Sequence, residues 1–136
     1  MHACFKNIYI IVTFNITIMG LPSKEDKVLR LLMNEPSKQW HFSQIVEKVG
    51  ISKQQANKWL MRFQNEKLIQ HLKPKGKMPY FIGNFKHPSF QLKKRLYALS
   101  EMYESGFLSH LQSLPKAEAV IIFGSFARGD WNIKSD

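Results

Sequence analysis

Two groups of residues in this chain of 136 have types and spacings suited to chemistry. One closes the sequence: Gly124-Ser125, then Ala127-Arg128-Gly129-Asp130, then Ser135-Asp136. A glycine lets a turn bring its backbone close to a ligand. A serine hydroxyl and the unpaired amides at a helix start suit phosphate oxygens. A carboxylate suits a hard cation such as magnesium. The other group carries amides and cations: Gln54, Gln55, Lys58 and Arg62, followed by Lys73, Lys75 and Lys77. Glutamine and arginine can pair with base edges in a major groove, and lysines can neutralise phosphates.

For the closing group, the positioning element is the run Ala119 to Phe123. It is nearly continuous in apolar residues, as expected for a strand buried on both faces. Strand, Gly-Ser turn, Ala-Arg-Gly-Asp and Ser-Asp, in that order, resemble the opening of the nucleotidyltransferases related to DNA polymerase β, particularly the minimal type of archaea and bacteria. The resemblance implies that a strand ends at Gly124-Ser125 and that a short helix follows. It implies an Asp-x-Asp pair that binds magnesium. Ten residues separate Ser125 from Asp136, which suits the family. On this resemblance Gly124 and Ser125 would hold a triphosphate. Arg128 would shape the site or pair with a carboxylate, Asp130 would stabilise the loop, and Asp136 would be the catalytic aspartate and first metal ligand. The second aspartate would fall two positions beyond Asp136, so the chain reads as a fragment, inactive by itself. The alternative is a buried strand followed by a plain loop.

For the basic group, the elements lie upstream. Ser23 with Asp26 three residues later forms a helix-start pattern, and Val28, Leu29, Leu31, Leu32 and Met33 supply an apolar face. Pro36 ends that helix. A second helix is expected from about Ser43 to Val49, with Ile45, Val46 and Val49 as its buried stripe and Gly50 as its left-handed stop. Trp40 and Phe42 are expected to seat this helix on the first. Ser52 and Gln55 form a capping box for a third helix reaching about Glu66, with Ala56, Trp59, Leu60 and Phe63 turned to the core. Leu68 to Leu72 and Tyr80 to Ile82 read as strands around a basic turn containing Pro74 and Gly76.

Three helices followed by a basic-tipped hairpin resemble a winged helix-turn-helix domain over residues 21–85. That resemblance implies binding to double-stranded DNA, with Gln54, Gln55, Lys58 and Arg62 on the helix that enters the major groove. Lys73, Lys75 and Lys77 would lie along the phosphates. The alternative is a domain of the same shape used for protein contacts, because fold does not fix function.

Charge agrees with an anionic partner. The net charge is +10. From Leu21 to Phe85 there are twelve Lys or Arg against five Asp or Glu, whereas Lys86 to Asp136 has seven against five. Residues 86–115 read as a helical connector, with Pro88 and Ser89 at its start and Leu92, Leu96, Leu99 and Met102 or Tyr103 as its apolar face. Lys93-Lys94-Arg95 reads as a solvated basic face, and Gly106 as a break. Residues 1–20 are rich in isoleucine but contain Lys6, Asn7 and Asn15. They read as an over-extended reading frame, an added strand or a membrane segment, and the first is preferred. The single cysteine, Cys4, excludes an internal disulfide and suits a reducing cytoplasm. The histidines show no metal-ligand spacing.

The expected whole is α+β: a three-helix winged helix-turn-helix domain, a helical connector, then the first strand and Gly-Ser turn of a nucleotidyltransferase α/β domain at residues 116–136. The expected activity of the longer protein is magnesium-dependent transfer of a nucleoside monophosphate from a nucleoside triphosphate to a hydroxyl. The alternative is a winged-helix regulator or antitoxin-like protein without catalysis. Expected partners are duplex DNA and a nucleoside triphosphate, with a homodimer or a toxin partner open and no membrane.

Overall fold

The computed structural model describes residues 22–114 and 121–131. The chain is mixed α+β, with helices around a two-stranded antiparallel sheet. Helices α1 (Lys24–Asn34), α2 (Phe42–Val49) and α3 (Lys53–Asn65) come first, followed by strands β1 (Ile69–Leu72) and β2 (Tyr80–Gly83). Then come α4 (Pro88–Glu104), α5 (Phe107–Gln112) and the single turn α6 (Ser125–Arg128). No helix among the described residues is long and apolar enough to cross a membrane.

Local capping sets the helix starts. Ser23 Oγ accepts from the Asp26 amide at 3.1 Å, and Asp26 Oδ2 accepts from the Ser23 amide at 3.0 Å. Ser52 and Gln55 make the same reciprocal pair at 3.1 Å in both directions. Each box satisfies two amides that a helix start otherwise leaves open. Gly50 closes α2 at φ 68°, a left-handed conformation that carries no Cβ penalty in glycine. At α4 the cap is a histidine. His87 holds the cap position, its Nδ1 accepts from the Ser89 amide at 3.2 Å, and Pro88 opens the helix. Proline there loses no hydrogen bond, because the first amides have no partner within the helix.

One core joins these elements. Val28, Leu32, Met33, Ile45, Ala56, Leu60, Phe63, Leu68, Ile69, Phe81 and Phe90 are all buried in it. Burying one such side chain contributes about 1.5–3 kcal/mol. Trp40 is buried in the same core as the α1 and α2 residues, and Phe42 packs half-buried against it. The Trp40 amide donates to the Phe81 carbonyl at 2.9 Å and its carbonyl accepts from the Phe81 amide at 2.8 Å. The linker before α2 is therefore tied to β2, which satisfies backbone groups that burial would otherwise leave unpaired. Gly83 closes the sheet against that linker: its amide donates to the Pro36 carbonyl at 2.8 Å.

Three expectations about burial are corrected. Of the α2 stripe only Ile45 is buried; Val46 and Val49 are half-buried against the core. On α3, by contrast, all four expected residues do meet the core, Ala56, Leu60 and Phe63 buried and Trp59 half-buried against it. On α4 the buried row is Phe90, Lys94, Ala98 and Met102, spaced four apart. Leu92 and Leu96, expected inside, are 58% and 52% exposed. Lys94, expected in solvent, is 1% exposed, because the segment ending at Trp131 covers it. Finally, of the expected strand 119–123, Ala119 and Val120 lie outside the described residues. Ile121 to Phe123 have no regular structure, and Ile121 and Phe123 are 81% and 85% exposed. No strand among the described residues lies beside them to supply ladder partners.

Candidate nucleic-acid interface

Helical periodicity gives α3 three faces. Ala56, Leu60 and Phe63 enter the core. On the opposite side Gln54, Asn57, Lys58, Met61 and Asn65 form an exposed row, spaced as neighbours on one helix face. Along the flank lie Gln55, Arg62 and Glu66.

The flank is chemically committed. Gln55 Oε1 accepts from the Ser52 amide at 3.1 Å and from Ser52 Oγ at 3.3 Å, so this side chain is a cap. The Arg62 guanidinium pairs with Glu25 on α1 and lies 3.9 Å from Glu66. Of the four α3 residues expected to meet DNA, only Gln54 and Lys58 belong to the outward row. With Asn57 they make no side-chain hydrogen bond or ion pair to another described residue. Asn57 and Met61 were missed in the sequence. They follow Gln54 at spacings of three and seven, so the row was available once the buried face was known. Met61, however, reads as a core residue by polarity.

The hairpin carries the second basic feature. Lys73, Lys75 and Lys77 are exposed on the β1–β2 loop, as expected. Lys77 donates its amide to the Pro74 carbonyl at 3.2 Å, and Gly76 turns the loop at φ 73°. No Asp or Glu occurs between Glu66 and Glu101, so no carboxylate on the hairpin offsets these charges. His71 stacks on Phe81 with ring centroids 4.2 Å apart. Burial and then the Lys73 charge push its pKa below the usual histidine value. His41 Nδ1 lies 3.0 Å from the Pro79 carbonyl oxygen, which ties the end of the loop to the start of α2.

The closing group is partly described. Gly124 has φ 85° and α6 begins at Ser125, the turn-then-helix order expected from the motif. Among the described residues, its chain neighbours apart, nothing lies within 4 Å of where a Cβ at Gly124 would stand. Arg128 Nε donates to Asp130 Oδ2 at 2.9 Å, so this arginine pairs with a carboxylate and Asp130 braces the loop. The segment is seated on α4: Arg95 Nε donates to the Arg128 carbonyl at 3.0 Å, and Lys94 Nζ donates to the Trp131 carbonyl. Asp136 lies outside the described residues. Among those described, no three His, Cys, Asp or Glu side chains group to hold a metal ion.

Comparison with models of known families, with curated proteins and with solved structures gives no match to this chain.

Proposed function

We propose that residues 21–85 form a winged helix-turn-helix unit that binds double-stranded DNA. In this reading α3 enters the major groove and the loop carrying Lys73, Lys75 and Lys77 follows a phosphate backbone. One observation carries it: α3 turns an uncommitted row of Gln54, Asn57 and Lys58 to solvent, and the hairpin that follows bears three exposed lysines without an acid. Amides facing outward can read base edges, and lysines can displace condensed counterions from phosphates.

The turn at Gly124-Ser125 extends the reading to a longer protein. There it would open a nucleotidyltransferase domain in which Gly124 and Ser125 hold a triphosphate and Asp136 supplies a magnesium ligand. Magnesium would neutralise the phosphates and orient the attacking hydroxyl. Support for this part is the left-handed Gly124 leading into α6. A regulator or antitoxin-like protein without catalysis would use the same DNA-binding surface. A cytoplasmic location suits both.

The test is a salt titration of duplex binding by the full chain, followed by fluorescence anisotropy. Each phosphate contact lowers the slope of log K against log salt by about 0.9. Contacts from Lys58, Lys73, Lys75 and Lys77 therefore give a slope of roughly −3 to −4. Absent binding, or binding indifferent to salt, would overturn the proposal.

A further inference from the structure

The free side chains of α3 also point to the base pairs it would read. We infer that α3 selects A·T-containing major grooves, with Gln54 and Asn57 pairing to adenine and Met61 covering a thymine methyl. This inference rests on the DNA-binding reading above and deepens it.

The argument begins with what is not available. Arginine, bidentate to the O6 and N7 of guanine, is the commonest specific reader of a G·C pair. The sequence contains four arginines, Arg30, Arg62, Arg95 and Arg128, and each is engaged internally. Arg30 pairs with Glu101 and Glu104, Arg62 with Glu25, and Arg128 with Asp130. Arg95 donates to the Arg128 carbonyl. None of them lies on the outward row of α3.

What remains on that row is amide, ammonium and thioether. Glutamine and asparagine match the adjacent donor and acceptor that adenine shows at N6 and N7. Met61 is 63% exposed at the middle of the row. Among major-groove edges the thymine C5-methyl is the apolar group such a side chain can cover. Lys58 supplies charge between these contacts and suits a nearby phosphate. An apolar residue ringed by amides and a cation is complementary to an A·T edge. Over a G·C edge the two amides would meet the wrong pattern of donors and acceptors.

The experiment measures binding of the full chain to four hairpin duplexes at one salt concentration: alternating A–T, alternating G–C, alternating inosine–C, and alternating A–U. Inosine–cytosine presents the major-groove edge of G·C but the minor-groove edge of A·T. Uracil is thymine without its methyl. The expected result is binding to A–T tighter than to G–C and inosine–C by about tenfold or more. A smaller loss on A–U should vanish in the Met61→Ala variant, and Gln54→Ala with Asn57→Ala should level A–T with G–C. Equal, salt-dependent binding to all duplexes, or inosine–C grouping with A–T, would overturn the inference while leaving the DNA-binding reading in place. Binding to none of the four would overturn both.

Discussion

Lys94 and Trp131 form one unit: the ammonium donates to the Trp131 backbone carbonyl and lies 4.4 Å from the centroid of its ring. The same nitrogen is 5.7 Å from the ring of Phe90, so two aromatic rings flank a buried cation. Burial lowers its pKa from 10.5 to about 8, with Asp130 opposing. The unfolded chain therefore holds more protons than the folded chain between about pH 8 and 10.5. Stability rises with pH wherever the unfolded state binds more protons. The Lys94 contribution to unfolding free energy should thus grow across that interval and be flat below it. Urea denaturation at several pH values should show this rise relative to Lys94→Met, which keeps the volume and removes the titration.

Gly83 predicts a packing penalty. A Cβ there would stand 2.8 Å from Pro36 Cβ and 3.0 Å from Phe90 Cε2. Neither neighbour is the loose end of a flexible chain, so Gly83→Ala should destabilise by about 1–3 kcal/mol through overpacking. The denaturation midpoint should fall without a change in slope. Unaltered stability would mean that the linker at Pro36 does not close on β2 as described.

Arg62 and Lys58 should separate in a DNA-binding assay. Lys58 is uncommitted and outward, so Lys58→Ala should reduce the salt slope by about 0.9. Arg62 is held by Glu25 and Glu66 on the flank. Arg62→Ala should leave the salt slope unchanged and lower stability by no more than about 1 kcal/mol, as for an exposed ion pair. A slope lowered by Arg62→Ala would show that this side chain leaves its acids for a phosphate.

Local patterns were legible in the sequence where three or four residues decide the outcome. Ser23 with Asp26, Ser52 with Gln55, and Gly50 after Val49 each mark a boundary within one helical turn. The order of three helices and a basic hairpin could be read from such marks. The inner face of α4 could not. Its leucines at 92 and 96 form as good an apolar stripe as Phe90, Ala98 and Met102, and Lys94 interrupts the true one. What buries Lys94 is a carbonyl at Trp131, far along the chain, and periodicity carries no trace of that contact. The split on α3 has the same cause. Gln55 and Arg62 resemble Gln54 and Lys58 in type, and only the cap at Ser52 and the acid at Glu25 take them out of play. Met61 was overlooked because polarity assigns a methionine to the core.

The most direct measurement is lysine acetylation footprinting of the full chain, with and without duplex DNA, read by mass spectrometry. The account predicts that DNA shields Lys58, Lys73, Lys75 and Lys77, while Lys38, paired with Glu35, and Lys93 on α4 keep their reactivity. Shielding confined to α4, or no shielding of Lys58 and the three hairpin lysines under conditions where DNA is bound, would contradict it.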